Sequence, residues 1–461
     1  MKPSIPQGTR DFSPIEVRKR QYIFQTLKNI FECSGFQPLE TPAMENLSTL
    51  MGKYGDEGDR LIFKILNNGL DNIEKRAKIE AGFLQILSGK NTSDITERAL
   101  RYDLTIPFAR YIAMHQNDIA FPFRRYQMQP VWRADRPQRG RYREFWQCDC
   151  DVVGSTSLLN EAELLCIYQN AFHQLQIPDI SVKLNSRKIL AGLADLADAP
   201  NQLTDITVAL DKLDKIGWDG VKRELEQRGI SEKGILAIEK ITQIEGNNDT
   251  KLRELSVIMQ GIEIGQRGIE EIQQTLHYYE TLKQENWQGQ IIIDFSLARG
   301  LNYYTGIIVE VTTGAVKMGS IGGGGRYDDL TGLFGVKGLS GVGISFGIDR
   351  IFDVLDELQL FPQNLTSTTQ VLIINFGGEN EPYALSVLQY LRAKGIASEF
   401  YPDAVKFDKQ MKYANKRGIP FVLLLGDDER ANQKVSLKNF NTGEQKLMSL
   451  NEVVETISAK V

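Results

Sequence analysis

Residues 124–151 read RRYQMQPVWRADRPQRGRYREFWQCDCD, and this stretch decides the fold that we predict for the chain. Its alternation of polar and apolar residues predicts two β-strands joined by a loop with proline and glycine. Seven arginines lie between residues 124 and 143, against one acidic residue, Asp135. Arginine is favoured over lysine where a planar set of donors must hold phosphate or carboxylate. We therefore interpret the stretch as a phosphate-binding hairpin, with an ordinary solvated face as the alternative.

Each strand of this hairpin has one polar face. The side chains that share it are Arg125, Gln127, Gln129 and Arg133 on the first strand, and Arg141, Arg143, Gln147, Asp149 and Asp151 on the return strand. Aromatic and apolar residues alternate with them. Gln147 and Asp151 are therefore predicted to lie on the same face as Arg141.

The composition is that of an ordinary globular protein. The chain has 461 residues, of which 42% are hydrophobic and 25% are charged, so two to four domains are expected. No apolar run is long enough to span a membrane, and the first residues lack the apolar core of a signal peptide. We expect a cytoplasmic protein without a membrane partner.

Charge, histidine and cysteine restrict the chemistry. A net charge of −5 argues weakly against nonspecific nucleic-acid binding, but a local basic patch such as the hairpin would decide such a contact. Only three histidines occur, all isolated, so we expect neither a histidine base nor a histidine-rich metal site. The four cysteines form no CxxC pair and are predicted to be buried free thiols.

The pattern changes along the chain. Residues 66–98 read as a helix or lid between polar ends, and residues 182–287 are rich in Glu, Lys, Gln and Leu with helical periodicity. Strand character returns after residue 288, and the segment 370–461 alternates strand and helix. That alternation is typical of a small α/β domain with parallel strands.

Four further segments could carry chemistry. RGLNYYTG at residues 299–306 combines an arginine with two tyrosines that would line one pocket only if the strand bends; a core strand is the alternative. GGGGR at 322–326 fits a backbone packed against a flat group, or a flexible loop, but not a P-loop. GISFGIDR at 343–350 places an arginine at the start of a helix. Asp103 and Thr105 would share one face of a strand, which suits an ammonium group or a loop cap.

These segments together resemble the class II aminoacyl-tRNA synthetases, and within them the histidyl-tRNA synthetase family. The resemblance covers nearly the whole chain, and the following motifs carry it: PQGTRDFSP (6–14), LRYDLTIPFARY (100–111), WRADRPQRGRYREFWQCDCD (132–151), LARGLNYYTG (297–306) and GVGISFGIDR (341–350). The combination of LARGLNYYTG with RGRYREFWQCD is highly specific, whereas each short motif alone is far weaker.

The resemblance implies an α+β catalytic domain on an antiparallel sheet flanked by helices. It assigns residues 1–181 and 288–362 to this domain, 182–287 to an α-rich insertion, and 370–461 to a C-terminal α/β anticodon-binding domain. The segment GFQPLETPAME, from residue 35, resembles the motif that forms the dimer interface in this class, so a homodimer is expected.

The implied activity is that of a histidine–tRNA ligase. L-histidine and ATP, with Mg²⁺ on the β- and γ-phosphates, would give histidyl-adenylate and pyrophosphate, and the histidyl group would then pass to the terminal adenosine of histidine tRNA. One alternative is a catalytically silent, histidine-sensing regulatory subunit of a phosphoribosyltransferase. Another is a tRNA-sensing module of a signalling protein.

The resemblance also implies which residues form the site. The catalytic residues would be Arg299, Arg133, Arg141 and Arg350. Histidine would be bound by Asp103, Thr105, Arg133, Gln147, Asp151, Arg299, Tyr303 and Tyr304. ATP would be bound by Arg133, Arg141, Glu144 and Arg350, and the tRNA acceptor end by Arg136 and Gln138. No residue is predicted to be a metal ligand.

Two features depart from the family pattern. Asn302 stands where the family commonly has aspartate, which retains hydrogen bonding but removes a charge. The segment 66–98 is longer than the usual link in this family.

Overall fold

The structure is a computed structural model of the chain. It describes residues 2–298, 303–362, 365, 368–440 and 442–458, and within these ranges it leaves out the side chains of residues 56 and 57.

The described residues form helices and strands with the following bounds. The helices are α1 (Pro14–Cys33), α2 (Leu47–Leu50), α3 (Gly55–Arg60), α4 (Arg76–Leu87), α5 (Thr105–His115), α6 (Leu159–Gln174), α7 (Arg187–Leu196), α8 (Leu203–Leu210), α9 (Leu213–Gln227), α10 (Glu232–Thr242), α11 (Asn248–Ile258), α12 (Glu263–Leu282), α13 (Ile348–Glu357), α14 (Asn380–Ala393), α15 (Phe407–Lys416), α16 (Asp427–Ala431) and α17 (Leu450–Ser458). The strands are β1 (Gln37–Pro38), β2 (Met44–Asn46), β3 (Lys64–Ile65), β4 (Arg98–Leu100), β5 (Phe123–Trp132), β6 (Glu144–Val153), β7 (Ile180–Ser186), β8 (Gln290–Ile293), β9 (Ile307–Thr313), β10 (Gly322–Asp328), β11 (Ser340–Gly347), β12 (Val371–Ile373), β13 (Ser398–Phe400), β14 (Phe421–Leu424), β15 (Val435–Asn439) and β16 (Gln445–Met448).

The chain divides into two compact units. The first contains residues 1–11 and 20–360, and the second contains residues 12–19 and 361–461.

An eight-stranded sheet forms the centre of the first unit. Its strand order is β1-β5-β6-β11-β10-β9-β7-β8, and only the pairs β1–β5 and β7–β8 are parallel. The predicted hairpin is confirmed, since β5 and β6 pair antiparallel from Phe123 opposite Val153 to Trp132 opposite Glu144. β6 continues into the sheet through β11, which places the hairpin beside the strand that leads to Arg350.

The glycine-rich segment is a strand and not a flexible loop. Gly322–Asp328 forms β10 between β9 and β11, near the middle of the sheet. A Cβ at Gly324 would lie 2.2 Å from the carbonyl oxygen of Gly343, and one at Gly322 would lie 2.8 Å from the ring of Tyr168. Glycine is therefore required here by the close approach of neighbouring groups.

The stretch between β7 and β8 is mainly helical and contains α7 to α12. β7 itself pairs with β8 and β9, so a helical insertion that starts at residue 182 would share its first residues with the large sheet. Residues 66–98 contain α4, in agreement with the predicted helix. Cys148 and Cys150 are buried free thiols as predicted, but Cys33, at the end of α1, is exposed and Cys166 is half-buried.

The second unit contains a five-stranded sheet with the order β13-β12-β14-β15-β16. The predicted parallel strands are β13, β12 and β14, whereas β15 and β16 add an antiparallel edge that the sequence reading did not predict. Helices α14 and α17 supply buried residues such as Leu391 and Val453 to its core. Throughout the described part of both units, no helix is long and apolar enough to cross a membrane.

The packing around Gly324 gives a testable consequence. We expect Gly324→Ala to lower the free energy of unfolding by about 2 kcal/mol, because the added methyl group meets rigid backbone atoms. Gly347→Ala is the matched control, since its nearest atom would be an ordinary 3.5 Å away, and we expect a change within about 0.5 kcal/mol. Urea unfolding followed by circular dichroism measures both, and equal stability of the two variants would contradict the packing argument.

Candidate active site

A cavity of about 280 Å³ opens beside the hairpin, where β6, β10 and β11 meet the start of α13. Its walls include Arg133, Arg141, Gln147 and Arg350, all of which the sequence reading assigned to the site. The neighbouring wall is glycine-rich backbone from β10 and the end of β11. The cavity therefore combines several cations with a backbone that a ligand can approach closely.

The three arginines are held in different ways. Arg350 donates from Nε to the carbonyl oxygen of Gly140 at 2.8 Å and from Nη1 to that of Ser320. The Arg133 guanidinium lies 4.3 Å from the ring centre of Tyr102, and its Nε donates to the carbonyl oxygen of the same residue at 3.0 Å.

Arg141 is the least constrained of the three. Its side chain is 51% exposed, and it pairs with Asp135 at 3.1 Å. Arg133 and Arg350 are thus fixed before any ligand arrives, whereas Arg141 can still reorient.

Asp349 anchors the start of α13, directly before Arg350. This buried carboxylate pairs with Arg10 and with Arg20, the latter at 2.6 Å, and it accepts the backbone N–H of Trp146 at 3.0 Å. The bond to Trp146 ties α13 to β6, and the pair with Arg20 ties α13 to α1. These bonds set the position of Arg350 relative to the hairpin.

Asp103 is the centre of a second polar cluster. Its side chain accepts hydrogen bonds from the hydroxyl groups of Tyr54 at 2.9 Å and Tyr303 at 3.1 Å, and from the backbone N–H of Ile106 at 3.2 Å. Burial raises the pKa of Asp103, and these bonds together with Arg133 oppose the rise. Burial and Asp103 raise the pKa of Tyr303, and the side chain of Thr105 opposes the rise, so both predicted residues act on the same tyrosine.

Asp103 and Thr105 do not lie on a strand as predicted. β4 ends at Leu100, and Thr105 is the first residue of α5, so the two residues occupy a strand-to-helix turn. The two tyrosines, Tyr303 and Tyr304, precede β9, and their ring centres are 5.1 Å apart.

Asp151 lies in the interior of the sheet, paired with Arg125. The two side chains are 3% and 0% exposed, and Arg125 Nη2 lies 2.8 Å from Asp151 Oδ2. This Nη2 makes no well-aligned hydrogen bond in the described structure, so the contact is an ion pair. Tyr327 donates to the other carboxylate oxygen at 2.6 Å. Burial raises the pKa of Asp151, and Arg125 and Tyr327 oppose the rise.

Asp149 is a second buried carboxylate on the same strand. Burial raises the pKa of Asp149 to about 7, Arg125 opposes the rise, and the negative charge of Asp151 adds to it. The Arg125 guanidinium therefore lowers the pKa of two carboxylates in the interior of the sheet.

Some of the predicted residues lie apart from the cavity walls. Glu144 is exposed at the start of β6, where its carboxylate accepts a hydrogen bond from the indole of Trp132 at 2.8 Å. Arg136 and Gln138 are exposed in the hairpin loop, and Gln138 exchanges backbone hydrogen bonds with Arg141. Arg299 and Asn302 lie outside the described residues.

Comparison with known proteins agrees with this geometry. The family model for histidyl-tRNA synthetase matches residues 91–351, and the model for an anticodon-binding domain matches residues 370–460. The chain is 54% identical to a histidine–tRNA ligase of Christiangramia forsetii, covering 98% of both chains, and 51% identical to one of Bacteroides fragilis, covering 99% of both. The crystal structure of a histidyl-tRNA synthetase from Nostoc sp. PCC 7120 superposes with a TM-score of 0.83 at 33% identity over the full length of both chains.

The chain belongs to the histidyl-tRNA synthetase family. The family and the fold class predicted from the motifs are confirmed, and so is the class of enzyme, an ATP-dependent aminoacyl-tRNA ligase. The full-length similarity to such ligases does not support the alternative of a regulatory subunit.

Several residues that shape the site were not predicted from the sequence. They are Arg10, Arg20, Tyr54, Arg125, Tyr327, Ser345 and Asp349. Arg125 and Asp151 had been placed on polar faces of adjacent strands, and the hairpin register would have placed them opposite each other. No local signal marks Tyr54 or Tyr327, because only the tertiary fold brings their hydroxyl groups to the carboxylates.

The buried ion pair predicts a contrast between two neighbouring arginines. We expect Arg125→Ala to lower the free energy of unfolding by about 3–5 kcal/mol, because it leaves buried carboxylates without their cation. Arg124→Ala is the control. Arg124 pairs with Glu163 at 25% and 35% exposure, so we expect about 1 kcal/mol or less. Urea unfolding measures the free energy of unfolding of both variants. If Arg125→Ala lowers it no more than Arg124→Ala does, the ion pair is dispensable.

Proposed function

We propose that the protein is a histidine–tRNA ligase that works in two steps. It activates L-histidine with ATP to histidyl-adenylate, releasing pyrophosphate, and then transfers histidine to the 3′ terminal adenosine of histidine tRNA. The observation that carries the proposal is the cavity in which Arg133, Arg141 and Arg350 converge beside Gln147. Arginine clusters of this kind suit phosphate and carboxylate groups.

The first step has to overcome a repulsion between charges. The carboxylate of histidine attacks an α-phosphate that is itself anionic, so catalysis consists mainly of positioning and of stabilisation by fixed cations. A preorganised donor can contribute about 3 kcal/mol to such a transition state. The reaction needs no general base from the protein.

We assign the arginines on this basis. Arg350 and Arg141 would bind ATP phosphates, and Arg133 would bridge the histidine carboxylate and the α-phosphate. The hydrogen bonds from Arg350 and Arg133 to backbone carbonyl groups support these roles, since they hold the cations without neutralising them. Arg299, which the resemblance places beside Arg133 in the same role, completes the proposed set.

Mg²⁺ is expected to enter with ATP. Both aspartates on the cavity wall, Asp135 and Asp349, are paired with arginines. This donor set fits a phosphate chain that holds the ion through its own oxygens and water, the usual arrangement for Mg²⁺. When bound, the ion would neutralise charge on the β- and γ-phosphates.

The histidine side of the site uses the two buried clusters. Asp103, Thr105 and Gln147 would bind the α-ammonium group, and Asp151 and Tyr303 would bind the imidazole nitrogens, with Tyr304 as a wall. Tyr303 donates to Asp103 in the structure, so histidine would replace that bond. A site built for two ring nitrogens selects against other amino acids, because they would leave its polar groups unpaired.

The hairpin loop and two larger segments would contact the tRNA. Arg136 and Gln138 are exposed on the hairpin loop and would meet the acceptor end, while Glu144 would lie near the adenine of ATP. Residues 370–461 would bind the anticodon, and residues 182–287 would clamp the acceptor arm. Residues 1–181 and 288–362 would form the catalytic domain of a cytoplasmic homodimer, with residues 35–45 at the interface.

Pyrophosphate exchange tests the proposed reaction. We expect the purified protein to exchange labelled pyrophosphate into ATP in the presence of histidine, and with none of the other amino acids, without tRNA. The histidine-dependent exchange would establish adenylate formation and the substrate together. A folded protein that binds histidine but supports no exchange would instead fit a regulatory subunit.

A single isosteric change tests the imidazole site. We expect Asp151→Asn to weaken histidine binding at least tenfold, because a charged acceptor is lost, while ATP affinity changes less than twofold. Asparagine keeps the shape of the side chain and an oxygen for the Tyr327 hydroxyl, whereas alanine would remove both. Calorimetric titration with each ligand measures the contrast, and unchanged histidine affinity would remove Asp151 from the imidazole site.

A further inference from the structure

A polar ladder runs along two paired strands, β6 and β11, beside the cavity. The register places Gln147 of β6 opposite Gly347 of β11, Asp149 opposite Ser345, and Asp151 opposite Gly343. A Cβ at Gly343 would lie 1.9 Å from Asp151 Oδ1, so glycine leaves room for that carboxylate. The middle rung is different, because it alone carries a hydroxyl group opposite a carboxylate.

The middle rung connects to Gln147 by a hydrogen bond. Gln147 donates from Nε2 to Ser345 Oγ at 2.9 Å. Ser345 lies directly opposite Asp149, and its side chain opposes the rise in the pKa of this carboxylate. Asp149 is 3% exposed, and its Oδ1 is buried without a hydrogen-bond partner among the described residues. An ionised carboxylate can only accept, and a serine hydroxyl has one hydrogen. Because the Ser345 oxygen accepts from Gln147, its hydrogen is left for the Asp149 carboxylate opposite.

This polarity determines how the Gln147 amide is oriented. Its nitrogen faces Ser345, so its oxygen faces away from Ser345. Gln147 lines the cavity, and its Oε1 is buried without a hydrogen-bond partner among the described residues. A buried acceptor without a partner is costly, and a donor from a ligand would satisfy it.

We propose that Asp149 is a positioning residue that acts through Ser345 to hold Gln147 Oε1 ready for the α-ammonium group of histidine. This inference rests on the proposed function and adds two residues, Asp149 and Ser345, to the apparatus that selects the amino acid. Asp149 does not touch the substrate. Its carboxylate orients the Ser345 hydroxyl, which in turn orients the Gln147 amide, and Gln147 Oε1 contacts the substrate.

The test compares the binding of histidine and ATP at pH 8, where the Asp149 carboxyl, with a pKa of about 7, is ionised. We expect Ser345→Ala and Asp149→Ala each to weaken histidine binding about tenfold, the value of one hydrogen bond, with ATP affinity within twofold. The double variant should also lose only about tenfold, because a chain can be broken only once.

Ser345→Thr is the matched control, since it retains the hydroxyl group. We expect Ser345→Thr to bind histidine with an affinity within about threefold of that of the natural protein. A role of Ser345 in packing alone would not require the hydroxyl group. Asp149→Ala also removes a negative charge that interacts with Arg125. If that variant fails to fold, the pair Ser345→Ala and Ser345→Thr carries the test without changing any charge.

Two results would overturn the proposal. One is an unchanged histidine affinity in Ser345→Ala, and the other is an equal loss of histidine and ATP affinity, which would indicate general disruption of the cavity. The exchange assay on the natural protein distinguishes a failure of the positioning role from a failure of the proposed function. If the natural protein exchanges with histidine and Ser345→Ala binds histidine normally, only the positioning role fails; if it exchanges with no amino acid, the proposed function fails.

Discussion

The ion pair between Arg125 and Asp151 is the constraint on which the rest of the site depends. Both side chains are almost completely withdrawn from water, and an unpaired charge in such a place costs several kcal/mol. The surrounding structure therefore has little freedom. Tyr327 must donate to the carboxylate, and residue 343 must lack a side chain so that the carboxylate has room. The pair thus specifies residues on two other strands as well as its own.

Two arginines of the cavity are likewise held in fixed positions. Arg350 is held by carbonyl groups from the hairpin loop and from the segment before β10, and its helix is fixed by Asp349. Arg133 is stacked on Tyr102 and bonded to its backbone. Cations that are fixed during folding need no reorganisation when an anionic substrate arrives, and this is the physical basis of electrostatic catalysis.

Local sequence pattern predicted the hairpin well, because alternation with period two is a local property of a strand. It could not decide whether the polar face was solvated. Arg125 is buried because the ring of Phe108, from α5, lies 4.2 Å from its guanidinium, whereas Arg141 at the loop stays half-exposed. The placement of Asp103 and Thr105 on a strand was wrong for a related reason. The chain turns into a helix at Thr105, and this turn brings both side chains to Tyr303.

The sequence by itself determined the family, the hairpin, the arginines of the cavity and the helix that begins beside Arg350, because each depends on residues close together in the chain. Only the tertiary structure decided which charges are buried, which tyrosines partner Asp103 and Asp151, and that GGGG is a central strand. Those features depend on register and packing between segments that are far apart in sequence: Asp151 and Tyr327 are separated by 176 positions, and Asp103 and Tyr303 by 200. Periodicity reports which face of a strand a residue occupies, but what covers that face is decided by the rest of the fold.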